Sequence, residues 1–347
     1  MIARTWSLAK GPGELRHTSV SVVLISRNQA WNISRLIESV LDGTGGIQAR
    51  EIVLVDSASS DGTVEIARRY PIKILRLSPT QPLTPAAGRY VAYERTSGDL
   101  ILFLDGDMEM CSGWLGKATV IAETEPAVAV VTGRLVDLPK ATIGNNMTSF
   151  GSTTTGDLAV EVSQTGGAAM FRRSVLDEVG TFNPYLHSDE EPELCLRIRH
   201  AGYRIVSLEH PIARHYSDPG NAISTLVGRW RRNLWLGMGQ SMRYHLGTEL
   251  FWLYVKERGY GCLPGVAILT GVVSFVVSVL TRQWIWSGVW SSLLFVAIVA
   301  LIVRKGSLYS AAFSLLQRLI VLDGTLRGFL IKPMPPDTYP CRVDTIQ

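Results

Sequence analysis

The sequence reads as an α/β domain with a mostly parallel sheet, joined to interfacial helices and a membrane-spanning helical hairpin near the carboxyl terminus. Three observations carry this. Apolar runs that end in aspartate alternate with helical segments over residues 20–105. Two stretches of 19 and 20 residues, 262–280 and 284–303, hold no charged residue. Charge also divides the chain: residues 1–221 carry 21 Lys+Arg against 25 Asp+Glu, whereas 222–261 carry six against two.

The first element, 20–26 (VSVVLIS), is a continuous apolar run, as expected of a strand buried on both faces. A helix follows over 32–41. Residues 51–55 (EIVLV) form a second buried strand that ends at Asp56. Then come a helix over 63–70, a strand over 72–77, a helix over 84–95, and a strand over 99–104 (DLILFL) that ends at Asp105. Successive βα units of this length build a parallel sheet with helices on both faces. Ligands of such sheets bind beyond the carboxyl ends of the strands. Asp56, Asp105 and Asp107 all fall there.

The two uncharged stretches are each long enough to cross a hydrocarbon core of about 30 Å at about 1.5 Å per residue. Only residues 281–283 separate them. Lys256 and Arg258 precede the pair, Arg304 and Lys305 follow it, and the turn holds Arg282 alone, so the positive-inside rule puts both ends in the cytosol. Residues 222–261 interleave Arg229, Arg231, Arg232, Arg243 and Lys256 with Trp230, Trp235, Tyr244, Phe251, Trp252 and Tyr254, a pattern of helices lying in the headgroup layer. Residues 307–331 repeat it; Gln317, Arg318 and Asp323 favour an interfacial helix over a third crossing. Residues 1–17 lack the apolar core of a signal peptide. The expected organisation is therefore a catalytic domain over 18–221, interfacial helices over 222–261, two spans over 262–303, and an interfacial helix and tail over 304–347.

Composition excludes several classes. The 347 residues are 18% charged and 46% hydrophobic, which is not a disordered chain. Cys111, Cys195, Cys262 and Cys341 form no close pair, which argues against a disulfide scaffold or zinc ribbon. The net charge of +4 comes from the rear of the chain. An acidic front domain is a poor nucleic-acid binder.

Three segments carry chemistry. In LFLDGDMEM, Asp105 and Asp107 stand two residues apart at a strand end. They can face one hard cation, Mg²⁺ or Mn²⁺, with diphosphate oxygens completing its shell; the same tripeptide also fits an ordinary turn. Glu109 reads as solvated. In VDSASSDGT, Asp56 can accept donors from a base or ribose, while Ser60 or Asp61 caps the next helix. In HSDEEPELCLRIRHAGYRI, Ser188 or Asp189 is the cap and Gly202 the stop. Glu190 and Glu191 then sit at a helix N-terminus, whose dipole keeps carboxylates ionised. Either can serve as general base, or both are plain first-turn acids. Arg197 reads as a brace for them.

The order VSVVLISRN, VDSASSDGT, AAGRYVA, LFLDGDMEM, GGAAMFRR and SDEEPELCLRIRHAGYRI, over residues 18–240, resembles the family 2 inverting glycosyltransferases of GT-A fold. That resemblance implies a Rossmann-like catalytic domain and transfer of a sugar from a nucleotide-sugar donor. By position it assigns Ser26 and Asn28 to the altered nucleotide loop, where the family reads Pro-Thr-x-Asn. It assigns Asp56 to the base, Arg89 to the donor, Asp105 to the sugar-nucleotide and metal, and Asp107 to the metal. Gly166 and Gly167 fall on the acceptor side. Glu191 takes the catalytic-base position with Glu190 before it, and His215 stands where relatives hold metal or diphosphate. Leu226 replaces the Gln of the processive synthases' Gln-x-x-Arg-Trp motif, which implies a single transfer.

With the membrane segments, the expected acceptor is lipid-linked or a glycan, and the expected location is the cell (inner) membrane, multi-pass, with the catalytic domain cytosolic. Two alternatives are a membrane-anchored nucleotide-sugar binder without catalysis and a nucleotidyltransferase. The first would have lost Asp107 or the 190–191 acids, and the second lacks its Gly-rich basic signature. Hydride transfer is a weaker reading still, because no Gly-x-Gly-x-x-Gly follows the first strand.

Overall fold

The computed structural model describes residues 5–7, 18–47, 50–140, 158–217 and 223–347. The reading of residues 1–17 as lacking a signal peptide lies largely outside these. The chain divides into two compact units, Met1–Asp218 with Met334–Gln347, and Pro219–Pro333. The residues after 333, expected as a tail beyond an interfacial helix, are counted with the first unit.

The strands of the first unit are β1 (Thr5–Ser7), β2 (Val20–Ser26), β3 (Arg50–Asp56), β4 (Lys73–Leu77), β5 (Leu100–Asp105), β6 (Met108–Met110), β7 (Val128–Pro139), β8 (Leu158–Glu161), β9 (Ala169–Arg172), β10 (Arg204–Ser217) and β11 (Val343–Thr345). They form one sheet in the order β1-β8-β10-β7-β9-β5-β2-β3-β4-β11, with β6 on β10. The parallel part anticipated from the sequence is β4-β3-β2-β5. Beyond it, β9 runs antiparallel to both β5 and β7, and β7 and β10 pair in parallel. The helices of this unit are α1 (Ile33–Gly43), α2 (Thr63–Ala67), α3 (Pro85–Arg95), α4 (Trp114–Thr124), α5 (Arg173–Val179) and α6 (Glu190–His200).

All seven residues of β2 are buried. Alternate side chains enter opposite layers, as period-two geometry requires. Val22 and Leu24 pack with Ile33, Leu36, Ile37 and Trp114; Val23 and Ile25 pack with Ala87, Val91, Leu194 and Ile198. Thr84 starts α3 by accepting from Ala87 N at 2.9 Å, with Pro85 as the first helical residue. The register sets Ser26 beside Asp56 and Ile25 beside Asp105. The carboxyl ends of β3 and β5 thus present Asp56 and Asp105 on either side of the end of β2.

The second unit holds α7 (Ile223–Arg231), α8 (Gly237–Tyr244), α9 (Glu249–Arg258), α10 (Leu263–Thr281), α11 (Ile285–Lys305) and α12 (Leu308–Leu330). The anticipated hairpin is α10–α11, turned at Arg282 with φ 54°. Hydroxyls join the two helices, as polar side chains do in membrane helix pairs: Ser287 Oγ lies 2.8 Å from Ser278 Oγ, and Trp290 Nε1 donates to Thr270 Oγ1 at 3.2 Å. The hairpin's outer face is exposed and apolar, with Leu280 78% and Val303 75% accessible. Both segments are long and apolar enough to cross a membrane.

α8 and α12 cross through Gly239, Gly324 and Gly328. A side chain at any of these would overlap the backbone of the facing segment. The basic–aromatic pattern has partners here: Trp230 Nε1 donates to Asp323 Oδ2 at 2.8 Å, and Arg327 pairs with the same oxygen at 2.8 Å while lying over the Trp230 ring. Gly328→Val should therefore part α8 from α12 and cost about 1–3 kcal/mol, the usual range for overpacking. A lowered melting temperature in detergent checks this; an unchanged one contradicts the close crossing.

Candidate active site

Arg89 sits on the second turn of α3, 1% exposed, with its guanidinium over the Phe182 ring at 5.7 Å. It donates through Nη1 to Glu190 Oε1 at 3.0 Å and through Nη2 to Asp105 Oδ1 at 2.7 Å, and Nη2 lies 2.9 Å from Glu191 Oε1. One cation therefore holds three carboxylates from two elements. Arg89, expected to approach the donor, is buried and engaged by these acids. The expected brace, Arg197, instead bonds Glu193 at 2.8 Å and the carbonyls of Val179, Gly180 and Thr181.

Burial raises the pKa of Glu190 to about 8, neighbouring Glu191 adds to this, and Arg89 opposes it. Burial likewise lifts Asp105 above the usual carboxylate range, with Arg89 pulling it down and Asp107 pushing it up. Glu191 is the more open of the two glutamates, with 15% of its side chain exposed against 5%. Both start α6 behind Asp189, a left-handed residue at φ 63°. Non-glycine residues seldom adopt that conformation, and it recurs at functional sites.

Gly167 faces the same cluster. A Cβ there would overlap the Asp105 carboxylate and come within 3.1 Å of Arg89 Nη2. Its lack of a side chain is thus explained by room for Asp105. Gly166 is exposed, with open space around a Cβ, so packing does not require glycine there.

The turn from Asp105 to Asp107 is fixed from below. Gly106 N donates to Ile25 O at 2.8 Å, and a Cβ on Gly106 would meet Gln29 Cγ at 2.7 Å. Asn32, buried ahead of α1, donates through Nδ2 to Gly106 O at 3.1 Å and Met108 O at 2.8 Å. No motif in the sequence marks Asn32. Glu109 is not solvated: it accepts from Arg214 at 2.7 Å and Tyr216 at 2.6 Å.

His215 joins Asp107 in space, Nε2 to Oδ2 at 3.5 Å, while its Nδ1 is 2.7 Å from Asp137 Oδ1. Asp107 raises the imidazole pKa to about 9, and Asp137 adds to this. Asp137 was missed, although it too lies near the carboxyl end of a strand. Asp105, Asp107 and His215 were expected to share a metal. Among the described residues no three His, Cys, Asp or Glu side chains form such a cluster; Asp105 pairs with Arg89 at 2.7 Å. Asp107 and His215 form a carboxylate–imidazole pair, and Asp107 Oδ1 is buried without a hydrogen-bond partner among the described residues.

Asp56 is fully buried. Its Oδ2 accepts from Ser59 N at 2.9 Å and lies 3.7 Å from Arg76 Nε; its Oδ1 has no partner among the described residues. Burial raises its pKa. Ser26 Oγ on the adjacent strand is also buried and unpartnered. Buried polar atoms are normally satisfied, so each such exception asks for a ligand or another explanation. Asn28, left-handed at φ 54°, ties the two loops together: its N donates to Ser59 Oγ at 2.8 Å and its Oδ1 accepts from Ser60 N at 2.9 Å. Asp61 accepts from Thr63 N at 3.2 Å, as a cap would, although Gly62 is the cap residue.

Arg89→Met would leave three carboxylates without their cation. Removing one partner of a buried ion pair costs roughly 3–5 kcal/mol. The folded Glu190 value of about 8 exceeds its ordinary 4.5. Folding therefore takes up a proton between those values, and stability falls as pH rises through that window. Without Arg89 the ionised forms suffer most, so the variant's deficit should grow from about pH 5 to about pH 9 in chemical denaturation; a pH-independent deficit would contradict the clamp.

The family descriptions that match are Glycosyl transferase family 2, over residues 21–180, and Glycosyl transferase family group 2, over residues 115–322. Glycosyltransferase AglE of Haloferax volcanii is 26% identical over 253 residues, covering 68% of this chain and 80% of that protein. Succinoglycan biosynthesis protein ExoA of Rhizobium meliloti is 28% identical over 207 residues, covering 55% of this chain and 61% of its own length, under two thirds. Among solved structures, mannosyltransferase PcManGT from Pyrobaculum calidifontis, in complex with GDP-Man and Mn²⁺, superposes with a TM-score of 0.57 at 16% identity, covering 92% of this chain and 91% of that one. The strand-end aspartates, the acids at the start of α6 and these matches agree: the chain belongs to the family 2 glycosyltransferases and has their GT-A fold.

Proposed function

We propose that this glycosyltransferase moves a sugar from a nucleotide-sugar donor, with inversion, onto a lipid-linked acceptor at the cytosolic membrane face. The observation that carries the reading is the convergence of Asp105, Glu190 and Glu191 on Arg89, with Asp107 and its unpartnered oxygen two residues beyond Asp105.

The nucleotide would lie across the carboxyl ends of β3, β2 and β5. Asp56 Oδ1 and Ser26 Oγ, both buried and unpartnered, would take the base or ribose. Asp107 and His215 would hold a divalent cation together with the donor diphosphate. A carboxylate with an imidazole suits Mn²⁺ better than Mg²⁺, which prefers oxygen alone, and the mannosyltransferase of like fold was solved with Mn²⁺. When bound, the cation supplies charge to neutralise the departing diphosphate. Glu191 is the base: Arg89 engages its Oε1, which leaves Oε2 to take the acceptor proton. Glu190 is the buried support that fixes Arg89. Attack from the face opposite the diphosphate gives inversion. Asp105 would face the sugar from the clamp, and Gly166 would border the acceptor.

The second unit supports a lipid-linked acceptor. Its exposed apolar hairpin fits a bilayer, and flanking Lys256, Arg258, Arg304 and Lys305 fit a cytosolic side for both ends. Tethering confines enzyme and acceptor to one layer and raises their effective concentration.

Glu191→Gln should lower kcat by about 10²–10⁴, the usual contribution of general-base catalysis, while donor binding by calorimetry persists. Full activity in Glu191→Gln would overturn the base assignment. Asp107→Ala should abolish calorimetric Mn²⁺ binding in the presence of nucleoside diphosphate; retained binding would remove Asp107 from the cation site.

A further inference from the structure

The carboxyl-terminal tail returns to the first unit after the last helix of the second. β11 pairs antiparallel with β4 in the register Val343↔Leu77, Asp344↔Arg76 and Thr345↔Leu75. Gln81 clasps it from both sides, donating through Nε2 to Arg342 O and accepting from Arg342 N, each at 2.9 Å. Ile346 N then donates to Ile74 O at 2.8 Å, and Ile74 N to Gln347 O at 3.0 Å.

Strand addition covers an exposed sheet edge, but it does not explain the start of the tail. There Tyr339 is buried to 4% exposure. Its ring stands edge-on to Tyr90, with centroids 6.0 Å apart, and to Tyr185, at 5.8 Å. Its hydroxyl donates to Pro82 O at 2.6 Å, and the Tyr185 hydroxyl lies 3.0 Å from Thr338 Oγ1. These contacts fall on the segments that carry the catalytic clamp. Pro82 precedes the Thr84 cap of α3. Tyr90 follows Arg89. Tyr185, whose N donates to Asn183 Oδ1 at 3.1 Å, leads into Glu190 and Glu191. A second tie joins the same segments, from Thr84 Oγ1 to Pro184 O at 2.7 Å.

We propose that Tyr339 is a positioning residue for the clamp: the tail wedges α3 against the turn at 183–186 and so sets the span across which Arg89 reaches Glu190 and Glu191. This rests on Glu191 being the base. The reach is short, at 2.9–3.0 Å, so a small displacement of either segment misplaces the base. Misplacement by about 1 Å can cost roughly a hundredfold in rate. The Tyr339 contacts fall on Tyr90, Tyr185 and Pro82 and not on Asp56 or Ser26, which would take the nucleotide, so most of the donor affinity should be retained.

Full-length Tyr339→Ala, Tyr339→Phe, Tyr185→Ala and Glu191→Gln would be compared well below their unfolding temperatures, with kcat and calorimetric donor binding read for each. Tyr339→Ala and Tyr185→Ala should lose roughly ten- to a hundredfold in kcat with donor affinity retained. Tyr339→Phe keeps both ring contacts and should keep most of the activity. If Tyr339→Ala does not fold, Tyr185→Ala carries the test from the other side of the same contact. Wild-type kcat in Tyr339→Ala or Tyr185→Ala, or a loss in which kcat and donor binding fall together with the folded fraction, overturns the proposal. An active Glu191→Gln beside an impaired Tyr339→Ala overturns the base assignment instead.

Discussion

A guanidinium buried under three carboxylates is the constraint around which the catalytic unit is arranged. Asp105, Glu190 and Glu191 lie within 2.7–3.0 Å of Arg89, and like charges so close require a cation among them. Burying that cation is unfavourable unless its donors are met, and here each named contact meets a carboxylate. The apolar side of the guanidinium rests on Phe182, itself edge-on to Phe103 at 5.3 Å and Phe171 at 5.6 Å. The hydrophobic core thus ends in the floor of the site. Gly167 completes it by leaving room for Asp105.

The other groups follow from sheet geometry. Parallel β3, β2 and β5 end together, so Asp56 and Asp105 flank Ser26 and Ile25 without any special loop. The turn after Asp105 is held by Asn32, and β6 pairs His215 with Met108, which sets the imidazole beside Asp107. Asp137, opposite His215 in the β7–β10 register, engages the far ring nitrogen. Such an outer partner fixes which nitrogen faces the site. In the second unit, glycines do comparable work: Gly239, Gly324 and Gly328 let α8 and α12 approach at backbone distance.

Much of this was legible in the sequence. The runs VSVVLIS, EIVLV and DLILFL could be read as strands because burial on both faces leaves no polar alternation, and their terminal aspartates marked the site. Asp56, Asp105 and Asp107 stood out at strand ends and the Glu190–Glu191 pair at a helix start, whereas His215 and the choice of Glu191 came from the family resemblance alone. What was not legible depends on distant pairing. Arg89 meets Glu190 across 101 residues, and no local pattern tells which acids an arginine will reach. Arg197 was misassigned for the same reason. β9 and β11 enter the sheet antiparallel, and nothing local in AMFR or VDT announces a partner strand. Tyr339 follows a polar, proline-rich stretch that reads as a tail, and only the return of the chain to β4 explains its burial.

If one guanidinium makes the acids a single unit, their contributions to turnover cannot be independent. A double-mutant cycle on kcat between Arg89→Met and Glu191→Gln measures this directly. The clamp predicts strong non-additivity, with the double variant scarcely slower than the slower single variant, because residues acting as one unit lose their function together. Additive losses in the double variant would mean that Arg89 and Glu191 act separately, and the account of the site built on their contact would be wrong.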